Sequence, residues 1–211
     1  MANKDVLKEY LCEIGKRCYN KNFVAANDGN ISIKLASGNI LITPTGVSKG
    51  FMSPDMLIEL NQQGKIVEGK LKPSTETKMH LRVYREDSNI GAVVHAHPPY
   101  ATAMAVANRE LNKKILPEAV ITLGTVPVAK YGTPSTDEVP ESVAEYIENH
   151  NAVLLENHGV LTWGSDLKEA YFRMETVEFY ARITYLISEL EGAKEISPQN
   201  VKKLIKLREK L

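Results

Sequence analysis

The sequence lacks the features that direct a chain to a membrane or to a large polyanion. Its 211 residues carry 26 lysines and arginines against 26 aspartates and glutamates, so the formal net charge is zero. No apolar run approaches the roughly eighteen residues that a membrane-spanning helix needs, and the charged start MANKDVLKEY lacks the apolar core of a signal peptide. We therefore expect a cytoplasmic protein with neither a membrane nor a nucleic-acid partner, in which any recognition of phosphate is local.

Cysteine is also scarce, and low-complexity tracts and linkers are absent from the sequence. The two cysteines, Cys12 and Cys18, fall in one predicted helix, where their spacing corresponds to about 9 Å of rise. That separation is too great for a disulfide, so we expect two free thiols, buried or half-buried, in a reducing compartment. The length is that of one domain, which we expect to span residues 1–211.

Helices and strands are predicted to interleave along the chain. Apolar residues at helical spacing indicate a helix over 5–19, and isoleucines alternating with polar residues over 31–42 indicate a hairpin. Further strands are predicted at 65–67, 90–97, 120–123, 126–129 and 152–156, and further helices at 75–84, 100–107, 141–149, from a cap at Ser165 or Asp166 to about 190, and from Pro198 onward. This order predicts an α/β fold in which helices cover a mixed or largely antiparallel sheet.

Two of the five histidines close a predicted strand in the segment VVHAHPP. His95 and His97 are two residues apart, so on a strand they point to the same face about 6–7 Å apart. By itself, such a pair is as typical of two unrelated polar residues as it is of a metal site. A second apolar strand ends just before His158, however, and three imidazoles with one open position are a common ligand set of catalytic zinc. We therefore favour a metal site made of His95, His97 and His158.

The other two histidines have simpler interpretations. His150 lies in ENHNA at a helix end, where an exposed cation complements the helix dipole. His80 follows Glu76 by one helical turn, so it either hydrogen-bonds to Glu76 or packs against its surroundings.

Three polar segments are candidates for binding an anion. Ser74 and Thr75 precede Glu76 at a helix start, where they either cap the first turn or hold an anion beside Glu76 acting as a base. The segments NDGNIS and ITPTGVSKG are Gly-containing turns, and each alone is typical of a plain turn. Together, three such loops can cradle a phosphate through backbone N–H groups and hydroxyls. None has the spacing of a Walker A loop.

Five motifs in a fixed order resemble one known family. They are NDGNIS, ITPTG, EGKLKPSTETKMH, VVHAHP and LLENHGVL, and they lie within residues 5–190. The chain resembles the class II aldolase/adducin family. The resemblance implies a three-layer α/β/α fold with a central, mainly antiparallel sheet covered by helices on both faces. It also implies a homotetramer with active sites at subunit interfaces.

The resemblance also implies a chemistry and a set of site residues. His95, His97 and His158 would hold one Zn²⁺, and Glu76 would be the catalytic acid/base that also ligates the resting metal. The loops that bind substrate phosphate would contribute Gly29, Asn30, Thr45, Gly46, Ser74 and Thr75. The implied reaction is reversible cleavage of a (deoxy)ketose 1-phosphate, similar to L-fuculose 1-phosphate, into dihydroxyacetone phosphate and a small aldehyde such as lactaldehyde.

Two other functions found in the family remain open. A ribulose-phosphate 4-epimerase of this fold would carry Asp in place of Glu76, so Glu76 favours an aldolase, and a non-catalytic adducin-like module would not require the histidines. The sequence departs from the aldolases where it has Ile121 instead of a tyrosine, and KKLIKLREKL lacks a C-terminal tyrosine. Tyr131 lies where the family has an aromatic residue, and Glu118 is either an alternative polar group or a surface charge.

Overall fold

A single sheet of eight strands organises the part of the chain that the structure, a computed structural model, describes: residues 3–190 and 192–208. The strands are β1 (Asn30–Lys34), β2 (Ile40–Ile42), β3 (Ile58–Leu60), β4 (Ile66–Glu68), β5 (Ala92–Ala96), β6 (Val128–Ala129), β7 (Ala152–Leu155) and β8 (Gly159–Gly164). Their order across the sheet is β4-β3-β2-β1-β5-β8-β7-β6. Neighbouring strands are antiparallel except for β6 and β7, so the sheet is mainly antiparallel as expected.

Helices lie on both faces of this sheet. They are α1 (Lys4–Asn20), α2 (Thr77–Glu86), α3 (Pro99–Val106), α4 (Pro117–Thr122), α5 (Glu138–Ile147), α6 (Leu167–Ser188) and α7 (Pro198–Arg208). Successive residues of a strand face opposite sides, and accordingly Val94 packs with α1, α3 and α6 whereas Val93 packs with α2 and α5. The two buried clusters confirm the three-layer α/β/α fold.

Local chemistry sets the start of the longest helix. The Asp166 side chain accepts a hydrogen bond of 2.8 Å from the backbone N–H of Glu169, which satisfies one of the free donors in the first turn of α6. The sequence-based choice of Ser165 or Asp166 as cap is thereby confirmed for Asp166. No helix in the described ranges combines the length and the hydrophobicity that crossing a bilayer requires.

One predicted strand is wrong and two observed strands were not predicted. Residues 120–123, expected as a strand, lie largely in α4, because Pro117 occupies the first helical turn and Gly124, at φ +74°, ends the helix with an N–H bond to the Ala119 carbonyl. The expected strand at 126–129 shortens to β6. Neither β3 nor β8 was predicted, although β8 is a fully buried central strand.

Three chain segments meet where the central strand β5 of the sheet ends. On β5, His95 pairs with Asn30 of β1 on one side and with Leu161 of β8 on the other. The short turn between β7 and β8 carries His158, and α2 begins just after Glu76. Segments far apart in sequence therefore meet at the end of β5.

Candidate active site

The structure brings His95, His97 and His158 into one cluster. One nitrogen of each ring lies within 4.8 Å of the others, and the three ring centroids are 4.8–5.0 Å apart. His95 belongs to β5, His97 follows the strand immediately, and His158 lies in the β7–β8 turn, where Asn157 adopts φ 56°. The prediction that these three side chains converge thus agrees with the geometry, while their role as ligands stays a prediction.

The hydrogen bonds of His95 prepare its other nitrogen for a metal. Nδ1 of His95 donates to the Val160 carbonyl at 2.9 Å, so in the neutral ring Nε2 carries the lone pair. That Nε2 is 3.0 Å from Nε2 of His97. Two nitrogens bound to one zinc at about 2.1 Å in tetrahedral geometry are about 3.4 Å apart. The residues therefore fit a divalent cation, without large movement of either ring.

Glu76 completes the cluster on the side of α2. Its Oε2 is 3.3 Å from Nε2 of His95 and its Oε1 is 3.4 Å from Nε2 of His158. The Asn30 side-chain amide donates to Oε2 at 2.8 Å. Within the described residues Oε1 is buried without a hydrogen-bond partner. One carboxylate oxygen is thus held, and the other is free to take or give a proton.

The electrostatics of the cluster favour an ionised Glu76 among mostly neutral imidazoles. Burial alone would raise the pKa of Glu76, but the charge of His95 in its protonated form, the hydrogen bond that this form donates and the bond from Asn30 lower it. Burial and the neighbouring charge of His95 lower the pKa of His97 to about 3 and that of His158 to about 4. Near neutral pH these two rings are in the unprotonated form that a metal requires.

A cavity of about 190 Å³ opens above the histidines and Glu76. Its walls include five of the six residues expected to bind phosphate: Gly29, Asn30, Thr45, Ser74 and Thr75. The sixth, Gly46, follows Thr45 directly at φ +74°, and a β-carbon there would meet nothing within 4 Å. Among the described residues that line the cavity, none is lysine or arginine, so an anion there would be held by neutral donors.

Backbone contacts hold the three loops together. The Thr45 N–H donates to the Lys72 carbonyl at 3.0 Å, which joins the second loop to the third. Gly29 sits so close to β5 that a β-carbon would come within 2.8 Å of the His95 carbonyl, which requires glycine in addition to its φ of +71°. Ser74 accepts a hydrogen bond from the Glu76 N–H at 3.2 Å. Ser74 therefore bonds to the residue that precedes α2, and the binding of an anion by this loop stays a prediction.

Several residues in or next to the site were not singled out from the sequence, among them Asp28, Pro134 and Lys49. Asp28 places Oδ2 3.7 Å from Nδ1 of His97, and Pro134 lines the cavity. Buried Lys49 donates to the carbonyls of Asn27 and Val47 at 3.1 and 3.0 Å, so it ties the first loop to the second. The position of Asp28 and Lys49 inside the two motif loops was the only signal in the sequence.

The remaining candidates lie elsewhere in this chain. Glu118 and Ile121 are on α4, where Glu118 is exposed and Ile121 half-buried, and neither lines the cavity. Tyr131 is 54% exposed, and its N–H donates to Glu156. His150 lies just past the end of α5, as expected, where it is half-buried and its Nδ1 donates to the Thr125 carbonyl at 3.1 Å; its interaction with the helix dipole stays a prediction.

A cluster of three histidines next to a buried carboxylate, at the end of a central strand of the three-layer α/β/α fold, is an arrangement that could hold a metal ion. Residues 9–185 match the family described as class II aldolase and adducin N-terminal domain. The chain belongs to this family, whose aldolases depend on a metal.

Relatives within the family differ in the reaction that their names give. The chain is 35% identical to an L-fuculose phosphate aldolase of Methanococcus maripaludis over 186 residues, which is 88% of this chain and 99% of the relative. It is 30% identical to a 3-oxo-tetronate 4-phosphate decarboxylase of Escherichia coli over 187 residues, 87% of this chain and 88% of the relative.

Solved structures show the same fold. An L-fuculose 1-phosphate aldolase superposes with a TM-score of 0.90 at 29% identity, covering 99% of this chain and 98% of the other. An L-fuculose-1-phosphate aldolase from Thermus thermophilus gives a TM-score of 0.79 at 33% identity, covering 90% and 98%. The α/β class and the family expected from the sequence are therefore confirmed.

Proposed function

We propose that the protein is a zinc-dependent aldolase that cleaves a ketose 1-phosphate, similar to L-fuculose 1-phosphate, reversibly into dihydroxyacetone phosphate and a small aldehyde such as lactaldehyde. The observation that carries the proposal is the free Oε1 of Glu76, 3.4 Å from His158 in a cluster of three imidazoles. Such an arrangement combines a place for a cation with a proton acceptor beside it.

His95, His97 and His158 would hold the metal. Zn²⁺ bound there would supply Lewis-acid stabilisation of the negative charge that carbon–carbon cleavage leaves beside a ketone. The low pKa values of His97 and His158 keep those rings available as ligands near neutral pH.

Glu76 moves the proton in this proposal. In the synthetic direction Oε1 takes a proton from C3 of dihydroxyacetone phosphate, and in cleavage it returns that proton to the same carbon. Asn30 keeps Oε2 in place during both steps, because its amide donates to that oxygen at 2.8 Å. Burial of the carboxylate excludes bulk water from the transfer.

The three loops orient the phosphate end of the substrate. Thr45, Ser74 and Thr75 contribute hydroxyls, and Gly29 contributes backbone, to the walls of a cavity whose size suits a small ligand. The described lining supplies no cationic side chain, so specificity depends on geometry rather than on bulk charge. Lys49 donates hydrogen bonds to a carbonyl in each of the first two loops, and these bonds fix the position of the loops' own donors.

A decarboxylase is the second candidate, and the 30% identity to the Escherichia coli enzyme favours it. Loss of CO₂ from a 3-oxo acid also leaves negative charge next to a ketone, so the same metal site and the same Glu76 serve both reactions. A ribulose-phosphate 4-epimerase and a non-catalytic module remain alternatives from the sequence. An epimerase releases neither aldehyde nor CO₂, and a module turns over nothing.

The proposal includes an assembly and a location. We propose a homotetramer with active sites at subunit interfaces, built from one domain per chain in the cytoplasm. The free thiols support a reducing compartment: Cys18 is buried, Cys12 is half-buried, and burial raises the pKa of the Cys18 thiol to about 12, which leaves it unreactive.

A substrate panel separates these functions. Purified protein is incubated with several ketose 1-phosphates and with a 3-oxo acid phosphate, while dihydroxyacetone phosphate, aldehyde and CO₂ are measured separately. We expect aldehyde release that a chelator abolishes and added Zn²⁺ restores. Full activity after complete metal removal, or CO₂ as the main product, would refute the aldolase.

The variant Glu76→Gln tests the proton transfer. It keeps the shape of the side chain but removes the base, so we expect kcat to fall by about 10²- to 10⁴-fold, with little change in the zinc content. The matched control is Glu9→Gln, which changes an exposed residue of α1. Equal loss in both variants would show that Glu76 is not the base.

A further inference from the structure

A row of polar side chains on α2 faces a row on β1 beneath the active site. Glu76, His80 and Tyr84 follow at intervals of four residues, which is about 6 Å along a helix. Asn30 and Ser32 are two residues apart, which is about 6.7 Å along a strand. Because the two repeats nearly match, each group on the helix meets one on the strand.

The contacts form one continuous hydrogen-bonded chain. Tyr84 Oη is 2.7 Å from Ser32 Oγ, and Ser32 Oγ is 2.7 Å from Nδ1 of His80. Nε2 of His80 is 2.5 Å from Oδ1 of Asn30, whose Nδ2 donates to Oε2 of Glu76 at 2.8 Å. Ser32 and His80 are fully buried, and Asn30 is 3% exposed.

The chemistry of Glu76 fixes the direction of every bond in this chain. A carboxylate oxygen only accepts, so the amide nitrogen of Asn30 faces Glu76 and its oxygen faces His80. Nε2 of His80 must then carry a proton. Burial lowers the pKa of His80 to about 3, so the ring is neutral and Nδ1 accepts from Ser32, which in turn accepts from Tyr84.

We propose that His80 is a positioning residue for Glu76, and this rests on the proposed role of Glu76 as acid/base. By donating to Oδ1, His80 prevents the Asn30 amide from turning over. A turned amide would direct its oxygen at the carboxylate and release Oε2. The arrangement therefore leaves Oε1 as the atom that exchanges a proton with the substrate.

The chain orients Glu76 and does not conduct protons to it. An asparagine amide does not readily give up a proton near neutral pH, so proton transfer stops at Asn30. The distant end at Tyr84 is consequently less important than the bond between His80 and Asn30. If activity required only an intact core, loss of the Tyr84 hydroxyl would cost as much as loss of the bond between His80 and Asn30. The proposal expects only the second loss to lower activity.

Two variants of His80 separate the bonds on the two sides of the ring. In His80→Gln the terminal amide nitrogen replaces Nε2 and still donates to Asn30, whereas in His80→Asn the shorter amide reaches only the place of Nδ1. We expect His80→Asn to lose about 10- to 100-fold in kcat, as typical for groups that orient an active-site residue, with KM changing much less. We expect His80→Gln to retain most of the activity.

Tyr84→Phe is the matched control at the far end of the chain. It removes one hydroxyl but leaves the bond from His80 to Asn30, so we expect kcat within about threefold of the unmodified protein. All three variants are assayed below their unfolding transitions and normalised to zinc content. If His80→Asn and His80→Gln lose the same fraction of kcat, or if Tyr84→Phe loses as much, the positioning role is wrong.

A readout without substrate separates this proposal from the proposed function. Nitrogen-15 NMR of labelled histidine distinguishes protonated from unprotonated ring nitrogens, and we expect His80 to be neutral with the proton on Nε2 from pH 6 to 9. A proton on Nδ1 or a charged ring would overturn the proposal. If the protein turns over no substrate, the proposed function fails. The positioning role is then decided by the tautomer of His80 and by the exchange rate of the Asn30 amide protons, which we expect to be faster in His80→Asn.

Discussion

At the residue scale, Lys49 is a buried cation at the edge of the candidate site. Its side chain is 1% exposed, and its ammonium group donates to two backbone carbonyls, those of Asn27 and Val47. Burial lowers the pKa of Lys49 to about 8, because removing an ammonium from water disfavours the charged form. The link between the two loops is thus stabilised by hydrogen bonds and opposed by desolvation.

Comparing the pH dependence of the free energy of unfolding between the unmodified protein and Lys49→Met measures the desolvation of this ammonium group. The pKa of Lys49 is lower in the folded than in the unfolded chain, so the unfolded chain binds more protons between pH 8 and 10.5. Stability of the unmodified protein therefore rises relative to the variant across this window, by up to about 3 kcal/mol. Denaturant unfolding of both proteins at several pH values gives the difference.

The matched control is Lys16→Met, which removes an exposed lysine of α1. A pH dependence that both variants share would contradict its assignment to Lys49. The proposed role of the loops in binding phosphate is tested by enzyme kinetics. We expect KM for the phosphorylated substrate to rise in Lys49→Met, because the first two loops lose the lysine that joins them.

Single residues differ in how far the sequence predicts them. The three histidines and Glu76 lie in short motifs, and strand alternation together with strand ends brings their side chains to one place. The partners of His80 depend instead on which strand packs against α2, and local periodicity does not contain that choice. Its spacing from Glu76 was compatible with a direct bond to Glu76 or with plain packing, and in the structure Asn30 lies between the two side chains.

At the element scale, the residues at the ends of helices and strands decided where the predictions succeeded and where they failed. The start of α6 was predicted because Asp166 is a strong N-cap before a long apolar pattern. Apolar residues alone predicted a strand at 120–123, but Pro117 and Gly124 mark the two ends of a helix there. The strand β8 was missed because the glycines at both its ends read as turn residues.

Asp166→Ala tests how much the cap contributes to the protein. Loss of the bond to Glu169 leaves a donor of the first turn unsatisfied, so we expect the free energy of unfolding to fall by about 1 kcal/mol. Thermal and denaturant unfolding measure the change. Asp166→Asn keeps an acceptor oxygen and serves as the control, with an expected loss of a few tenths of a kcal/mol. Equal losses in the two variants would mean that charge, not the hydrogen bond, stabilises this end.

At the scale of the whole molecule, the order of the strands explains how one site is assembled. The central position of β5, between β1 and β8, lets a loop from each neighbour meet the histidines at its end. The three clustered histidines, of which His97 and His158 line the cavity, lie beside the loops that contribute its other walls. The predicted metal ligands and the predicted phosphate loops are therefore neighbours within the chain.

The proposed aldehyde end of the site differs, since Ile121 is a half-buried residue of α4 and the described residues that line the cavity include no tyrosine. In the proposed homotetramer a neighbour completes that end. We expect sedimentation to show four copies, and dilution below the assembly concentration to reduce cleavage per chain while zinc content per chain stays constant. The exposed aromatic rings of Phe51 and Phe179, 74% and 56% accessible in the single chain, offer apolar area for such contacts. A monomer with full cleavage activity would show that each chain supplies the group for the aldehyde itself, and Tyr131→Phe in that monomer would then test the exposed tyrosine nearest the cavity wall in sequence.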